Sequence, residues 1–374
     1  MNKLKKERNI NIDYLKILAI FLIIISHSVP FYGNSNSESY INLNFATYNL
    51  DIFIMIILRH LGQIGNCIFM IITSYFLCDS NKMKINKIFQ IIIDTFIFSI
   101  LILLIILTMG INLDKKVIFR QLFPITYQNV WFVTVYVLIY FSHTLLNDII
   151  NRSNRKRLFK IIFVMFLLYS CAGFIIGGNK YYNNHLISFI MIYFIVAYCK
   201  KYCKGIMKNR KINEFILFFS LCIFLLFLVI LNQLGLKINM FDGKMLRMNS
   251  FANPIIILIS FSCFNIFSTL DLKKRLISNL SSITLYIYMI HENQLIRDYL
   301  KPVFFENYGC NLISVLKLFF LSIVICIPLG LIYKYCFSKI IYYILEPIIN
   351  IVKKIYKYIE SYLCNELNRN KIQN

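Results

Sequence analysis

Ten stretches of roughly 20 mainly apolar residues run through the chain, each long enough for a helix to cross a bilayer. Their approximate limits are 12–31, 61–79, 88–110, 129–150, 158–177, 185–200, 214–234, 251–270, 279–297 and 312–333; the second can begin as early as Ile52, and the sixth is short. Composition agrees: 59% of residues are hydrophobic and 15% are charged, whereas soluble domains run near 45–50% and about 25%. A water-soluble enzyme and a disordered chain are both excluded. The expected fold is all-α, a polytopic membrane bundle of about ten helices.

The second constraint is charge. Forty Lys and Arg against 17 Asp and Glu leave a net +23. A basic chain invites a nucleic-acid reading; a basic membrane chain places the excess in cytoplasmic loops. With the N-terminus in the cytoplasm, 28 of the 40 fall on the cytoplasmic side, 11 fall on the opposite side, and Lys16 lies inside the first span. That split predicts ten helices with both termini cytoplasmic, and it leaves no basic face of a soluble module for nucleic acid. The basic N-terminus with an uncleaved 12–31 segment reads as a retained signal anchor. Residues 1–345 form the transmembrane domain, with residues 32–60 as the longest outer loop. Residues 346–374 form a basic cytoplasmic tail. Its Ile351, Ile355, Tyr358, Ile359 and Tyr362, spaced between lysines, suit an amphipathic surface helix or a solvated tail equally.

Eleven cysteines are scattered without a C-x-x-C, and no Walker loop or G-x-G-x-x-G is present. The expectation is no metal and no ATP-driven pump.

Ionisable residues inside spans are costly and mark sites by default. The first span carries Asp13, Lys16 and His27. Lys16 and His27, eleven residues apart, share one helix face about 16.5 Å from end to end. Lys supplies a cation for phosphate or carboxylate, and His a base near neutral pH. The plainer alternatives are a lysine snorkelling to the interface and a hydrogen-bonded interfacial histidine. The ninth span ends in Tyr288-Met289-Ile290-His291-Glu292-Asn293, followed by Arg297; this is a structural cap or part of a site. Lys84 and Lys87 share a face at the start of the third span, where topology alone also explains them, and Asp94 lies two turns further in. Tyr127 and Trp131, the only tryptophan, open the fourth span from outside, as aromatic belt residues do. His60, His143 and His185 are expected at interfaces.

In order and spacing these residues resemble the integral-membrane acyltransferase 3 family. Asp13, Lys16 and His27 look like the family opening of an acid, a basic residue and, ten residues on, a histidine. Phe69-Met70-Ile71-Ile72-Thr73-Ser74-Tyr75-Phe76-Leu77 is similar to its second-span motif, departing at Met70, Thr73 and Ser74. Lys84 and Lys87 fall where the family carries a basic pair, Trp131-Phe132 matches the fourth-span start, and Leu285 to Asn293 looks like the ending of the surface-polysaccharide branch.

The resemblance implies a bacterial plasma-membrane O-acyltransferase, with O-acetylation as the first expectation. Acetyl-CoA or another acyl-CoA would donate from the cytoplasm to a hydroxyl of a surface glycan. Lys16, Lys84 and Lys87 would hold the donor's phosphates. His27, with His291 and Glu292, would do the chemistry, His27 as base or acyl carrier. Trp131, Tyr288, Asn293 and Arg297 would contact the substrate. No metal is expected, and assembly as a homo-oligomer stays open. The competing reading is a polysaccharide exporter, polymerase or other multi-pass transporter.

Overall fold

The structure, a computed structural model, describes residues 9–30, 46–80, 82–176, 184–272, 276–347, 349–351 and 354. Among them there are helices and no strand. In chain order these are α1 (Ile10–His27), α2 (Leu50–Leu77), α3 (Ile85–Thr108), α4 (Lys115–Leu122), α5 (Trp131–Arg152), α6 (Arg155–Phe166), α7 (Ala172–Ile176), α8 (His185–Tyr202), α9 (Lys204–Lys208), α10 (Arg210–Lys237), α11 (Pro254–Ser268), α12 (Leu276–Ser281), α13 (Thr284–His291), α14 (Lys301–Tyr308) and α15 (Leu312–Ile332). The protein is a polytopic helical membrane protein.

Each of the ten apolar stretches is helical, but not as ten uniform rods. Eight helical stretches are long and apolar enough to span, including Arg155–Ile175, where a π-helical turn joins α6 to α7. The eighth stretch, α11, has only 15 residues. The ninth is broken into α12 and α13 around Ser282 and Ile283, and breaks again after His291.

Polar residues between the spans start the helices. Asn9, Asn49, Asn154, Asn184, Asn209, Asn253 and Asn311 each accept a backbone N–H at a helix N-terminus, which satisfies donors that the first turn leaves unpaired. The abundance of asparagine there is capping.

Several expectations change. The 32–60 loop is helical from Leu50 onward, so α2 begins about three turns before residue 61 and just ahead of the earlier start at Ile52, and its 28 residues exceed a bilayer's hydrocarbon at about 1.5 Å each. His60 consequently sits within α2, fully buried, with its ring nitrogens 2.6 Å from the Ile56 carbonyl oxygen and 3.1 Å from that of Met245. His143 is likewise buried, within α5. Neither is interfacial. Asp94 has no lysine beside it; it accepts hydrogen bonds from Gln90 (2.8 Å) and Tyr333 (2.7 Å). The last helix runs on through a π-helical turn to Pro347, past the end expected at 333. Of the apolar tail positions only Ile351 lies among the described residues. Ile355, Tyr358, Ile359 and Tyr362 lie outside them.

Helix α1 is central, packed on α2, α11, α12, α13 and α15. Its approach to α2 depends on two glycines. A Cβ at Gly62 would lie 2.5 Å from Ser26 Oγ, and one at Gly65 would lie 2.5 Å from the Ala19 carbonyl oxygen. Small residues let helix backbones come this close in lipid. Ser74, one of the departures from the second-span motif, is fully buried and donates to the Met70 carbonyl of its own helix (2.7 Å). By contrast α10 and α15 expose Phe215, Phe218, Leu226, Phe320 and Val324, as lipid-facing helices do.

Candidate active site

The two breaks in the ninth stretch sit opposite the two polar points of α1. At the first, the Ser281 hydroxyl donates to the Asp13 carboxylate (2.6 Å), and Asp13 is 3.6 Å from the Lys16 ammonium. At the second, the helix ends on Glu292, and the Asn293 side-chain oxygen accepts the backbone N–H of Leu295 (2.9 Å), restarting the chain. Consecutive residues in an unbroken helix point about 100° apart. The break lets both His291 and Glu292 reach the same partner.

That partner is His27. Its Nδ1 lies 2.7 Å from Glu292 Oε1. The His291 ring stacks on the His27 ring with centroids 6.1 Å apart and planes 25° apart. From α14, Lys301 Nζ donates to the His27 carbonyl (3.0 Å) and lies 3.8 Å from Glu292 Oε1. His291, Glu292 and Lys301 are buried; His27 keeps about a quarter of its side chain accessible. Burial pushes the Lys301 ammonium down from its ordinary value, and Glu292 opposes that shift. With Nδ1 engaged by a carboxylate, Nε2 is the nitrogen left to exchange a proton. It faces α2, 3.9 Å from where a Cβ at Gly62 would sit.

Below this cluster lies a cavity of about 310 Å³. Lys16 and Lys87 line one part of it. Phe69, Phe132 and Tyr288 line another, with Ser281 and Ser282 at the first helix break. Tyr288 is one turn before Glu292 on α13, its carbonyl accepting the Glu292 N–H (2.9 Å). The cavity therefore carries two lysines between largely apolar walls, and reaches Tyr288, one turn short of the His27 cluster, none of whose members lines it. Lys334 adds a third cation at its edge by bonding Ser282 Oγ.

The structure thus brings together His27, His291 and Glu292, and brings Lys16, Lys87 and Tyr288 onto one cavity. Asn293 caps the chain restart, while its Nδ2 is buried with no hydrogen-bond partner among the described residues. Arg297 pairs with Asp298 (3.2 Å). Lys84, exposed at the start of α3, does not line the cavity. Trp131 lies on a separate pocket with His185 and Phe251. Sequence reasoning missed Lys301, counted only as a loop charge, and Lys334, assigned to the tail. Neither carries a local motif.

His27, His291 and Glu292 also place one possible ligand atom each within 4.8 Å of one another, closer than the cysteines suggested any metal set would be. The Lys301 ammonium already supplies positive charge at that carboxylate.

A model of the acyltransferase domain matches residues 9–331. The chain belongs to the acyltransferase 3 family. No curated protein and no solved structure matches it. The matched region runs from the cap of α1 almost to the end of α15, so it contains the His27 cluster and the cavity. This acyltransferase is a membrane enzyme, and group transfer, not transport, is the chemistry its family supplies.

Proposed function

We propose that the protein is an O-acyltransferase that moves an acyl group, acetyl in the first instance, from cytoplasmic acyl-CoA to a hydroxyl of a cell-surface glycan. The observation that carries this reading is the contact of His27 Nδ1 with buried Glu292, one helical turn from Tyr288, which lines a cavity that also bears Lys16 and Lys87. In the orientation given by the charge split, the lysines lie toward the cytoplasm, where a polyanionic nucleotide would approach. Ammonium groups hold its phosphates as point charges, and the apolar walls suit its pantetheine arm.

His27 Nε2 takes the proton of the acceptor hydroxyl as its oxygen attacks the thioester carbonyl. The new C–O bond forms, and the tetrahedral oxyanion is steadied by a buried polar donor such as Tyr288 or Asn293, whose Nδ2 has no hydrogen-bond partner among the described residues. The C–S bond then breaks, and the proton held by His27 passes to the departing thiolate. Glu292 keeps the imidazole in the right tautomer and stabilises its protonated form. His291 and Lys301 hold that pair in place, and no metal takes part.

The test is proton NMR of surface glycan from cells with and without the gene, complemented by the natural chain or by His27→Ala. Acyl signals disappear on deletion and return only with the natural chain, while His27→Ala still inserts into the membrane. Acyl signals restored by His27→Ala overturn the assignment. Unchanged acylation after deletion overturns the function.

A further inference from the structure

The second pocket, about 270 Å³, lies on the other side of α2 and α5 from the donor cavity. The dipeptide at the start of α5 separates the two: Trp131 lines this pocket and Phe132 lines the cavity. Three rings form its apolar wall. Trp131 and Phe251 lie nearly parallel, 14° apart with centroids at 5.8 Å, and His185 sits 4.4 Å from Trp131 and 5.5 Å from Phe251. These residues come from the starts of α5, α8 and the segment before α11; the resemblance names Trp131 as a substrate contact, and nothing in the sequence joins it to His185 and Phe251.

The rest of the lining is hydrogen-bonding, with Gln63, Ser188 and Asn249 in it and no Lys, Arg, Asp or Glu among the described residues. Asn249 Oδ1 is buried and has no hydrogen-bond partner among the described residues, so it is an acceptor that a ligand hydroxyl can satisfy. Leaving such a group unmatched is costly. Gln63 follows Gly62, the residue whose Cα faces His27 Nε2. The pocket and the His27 ring thus meet neighbouring positions of α2, on faces of that helix about 100° apart.

The geometry points to a subsite for one neutral pyranose ring of the acceptor. Aromatic faces bury the C–H face of such a ring, and uncharged amides and hydroxyls meet its rim of hydroxyls. The absence of a cation in the lining selects against uronic or sialic acid residues, whose carboxylates would lose water without gaining a counter-ion. This inference rests on the acyltransfer reading for its meaning, but its test does not.

Trp131 is the only tryptophan in the chain, so fluorescence excited selectively at tryptophan reports on this pocket alone. The purified full-length protein in detergent micelles is titrated with methyl glucoside, methyl N-acetylglucosaminide and methyl glucuronide. The neutral glycosides give a saturable change in Trp131 emission and the glucuronide gives none. Asn249→Ala and Gln63→Ala each weaken the response about fivefold or more, the size of one lost neutral hydrogen bond, with acyl-CoA binding retained as proof of folding. A silent Trp131 with every neutral glycoside, in protein that binds acyl-CoA, overturns the subsite. So does a response equal for glucuronide, or one that both variants leave unchanged. A protein that acylates glycan with a silent Trp131 loses the subsite alone; one that binds glycosides through Trp131 but transfers nothing keeps the subsite and loses the acyltransfer reading.

Discussion

The two ends of α1 face the same broken helix but are built in opposite ways. At His27, three polar side chains from three elements, His27, Glu292 and Lys301, are joined by contacts of 2.7 and 3.8 Å; the His291 ring stacks on His27 with centroids 6.1 Å apart, and of these four all but His27 are buried. At Lys16, the ammonium lies 3.6 Å from the Asp13 carboxylate on a side chain about 30% accessible, with an open cavity beside it. The difference follows from two tasks. A base must hold its tautomer and direction, so its surroundings are fixed before substrate arrives. A large anionic donor must enter and leave on every cycle, so its binding charges sit on flexible stems over an accessible space.

If the closed end exists to hold His27, removing the charge of Glu292 is the most damaging change after loss of His27 itself. Glu292→Gln keeps shape and volume but no longer stabilises a protonated imidazole. Turnover should fall about a hundredfold or more, with the KM for acyl-CoA nearly unchanged. Steady-state kinetics in proteoliposomes separates the two parameters. A rise confined to the donor KM would show that Glu292 belongs functionally to the open end.

The open end should respond in the other parameter. Lys16→Ala and Lys87→Ala should each raise the donor KM about tenfold, the magnitude of one charge-assisted hydrogen bond, and leave turnover within about threefold. Raising salt should narrow the gap from the natural chain, because accessible charges are screened. Lys16→Arg should recover most of the affinity. An equal fall in turnover for Lys16→Ala would make Asp13 and Lys16 part of the chemistry.

How much of this contrast was readable in advance depends on which part is local. Helix count, class and the shared face of Lys16 and His27 follow from apolar length and the 3.6-residue period, which any single segment displays. The pairing of His27 with His291 and Glu292 is not local. It requires α13 to stop after His291, and the resemblance named the residues without supplying that break. Lys301 is farther from reach still: nothing in Leu300-Lys301-Pro302 distinguishes a buried partner of Glu292 from a loop charge, and only the fold turns it inward. His60 was misplaced for a related reason. Arg59 and His60 interrupt the apolar run that begins at Ile52 and so made the span look as if it started after them, whereas α2 starts at the Asn49 cap and runs through both.

The finest test of the comparison is between two lysines one turn apart. Lys84 and Lys87 are equivalent in sequence pattern and in topology, yet Lys87 lines the cavity, with its ammonium 5.8 Å from the Tyr140 ring centroid, while Lys84 is exposed at the N-cap of α3 without a side-chain capping bond. A charge that only marks the cytoplasmic side acts through long-range attraction, which salt removes within about 8 Å at physiological strength. Lys84→Ala should therefore change the donor KM less than about twofold, against about tenfold for Lys87→Ala, and the Lys84 effect should vanish in high salt. Equal effects of the two substitutions would mean that the donor's phosphates extend beyond the cavity mouth along the start of α3. The binding surface would then be the helix face that the sequence pattern suggests, and the cavity would hold only the pantetheine arm.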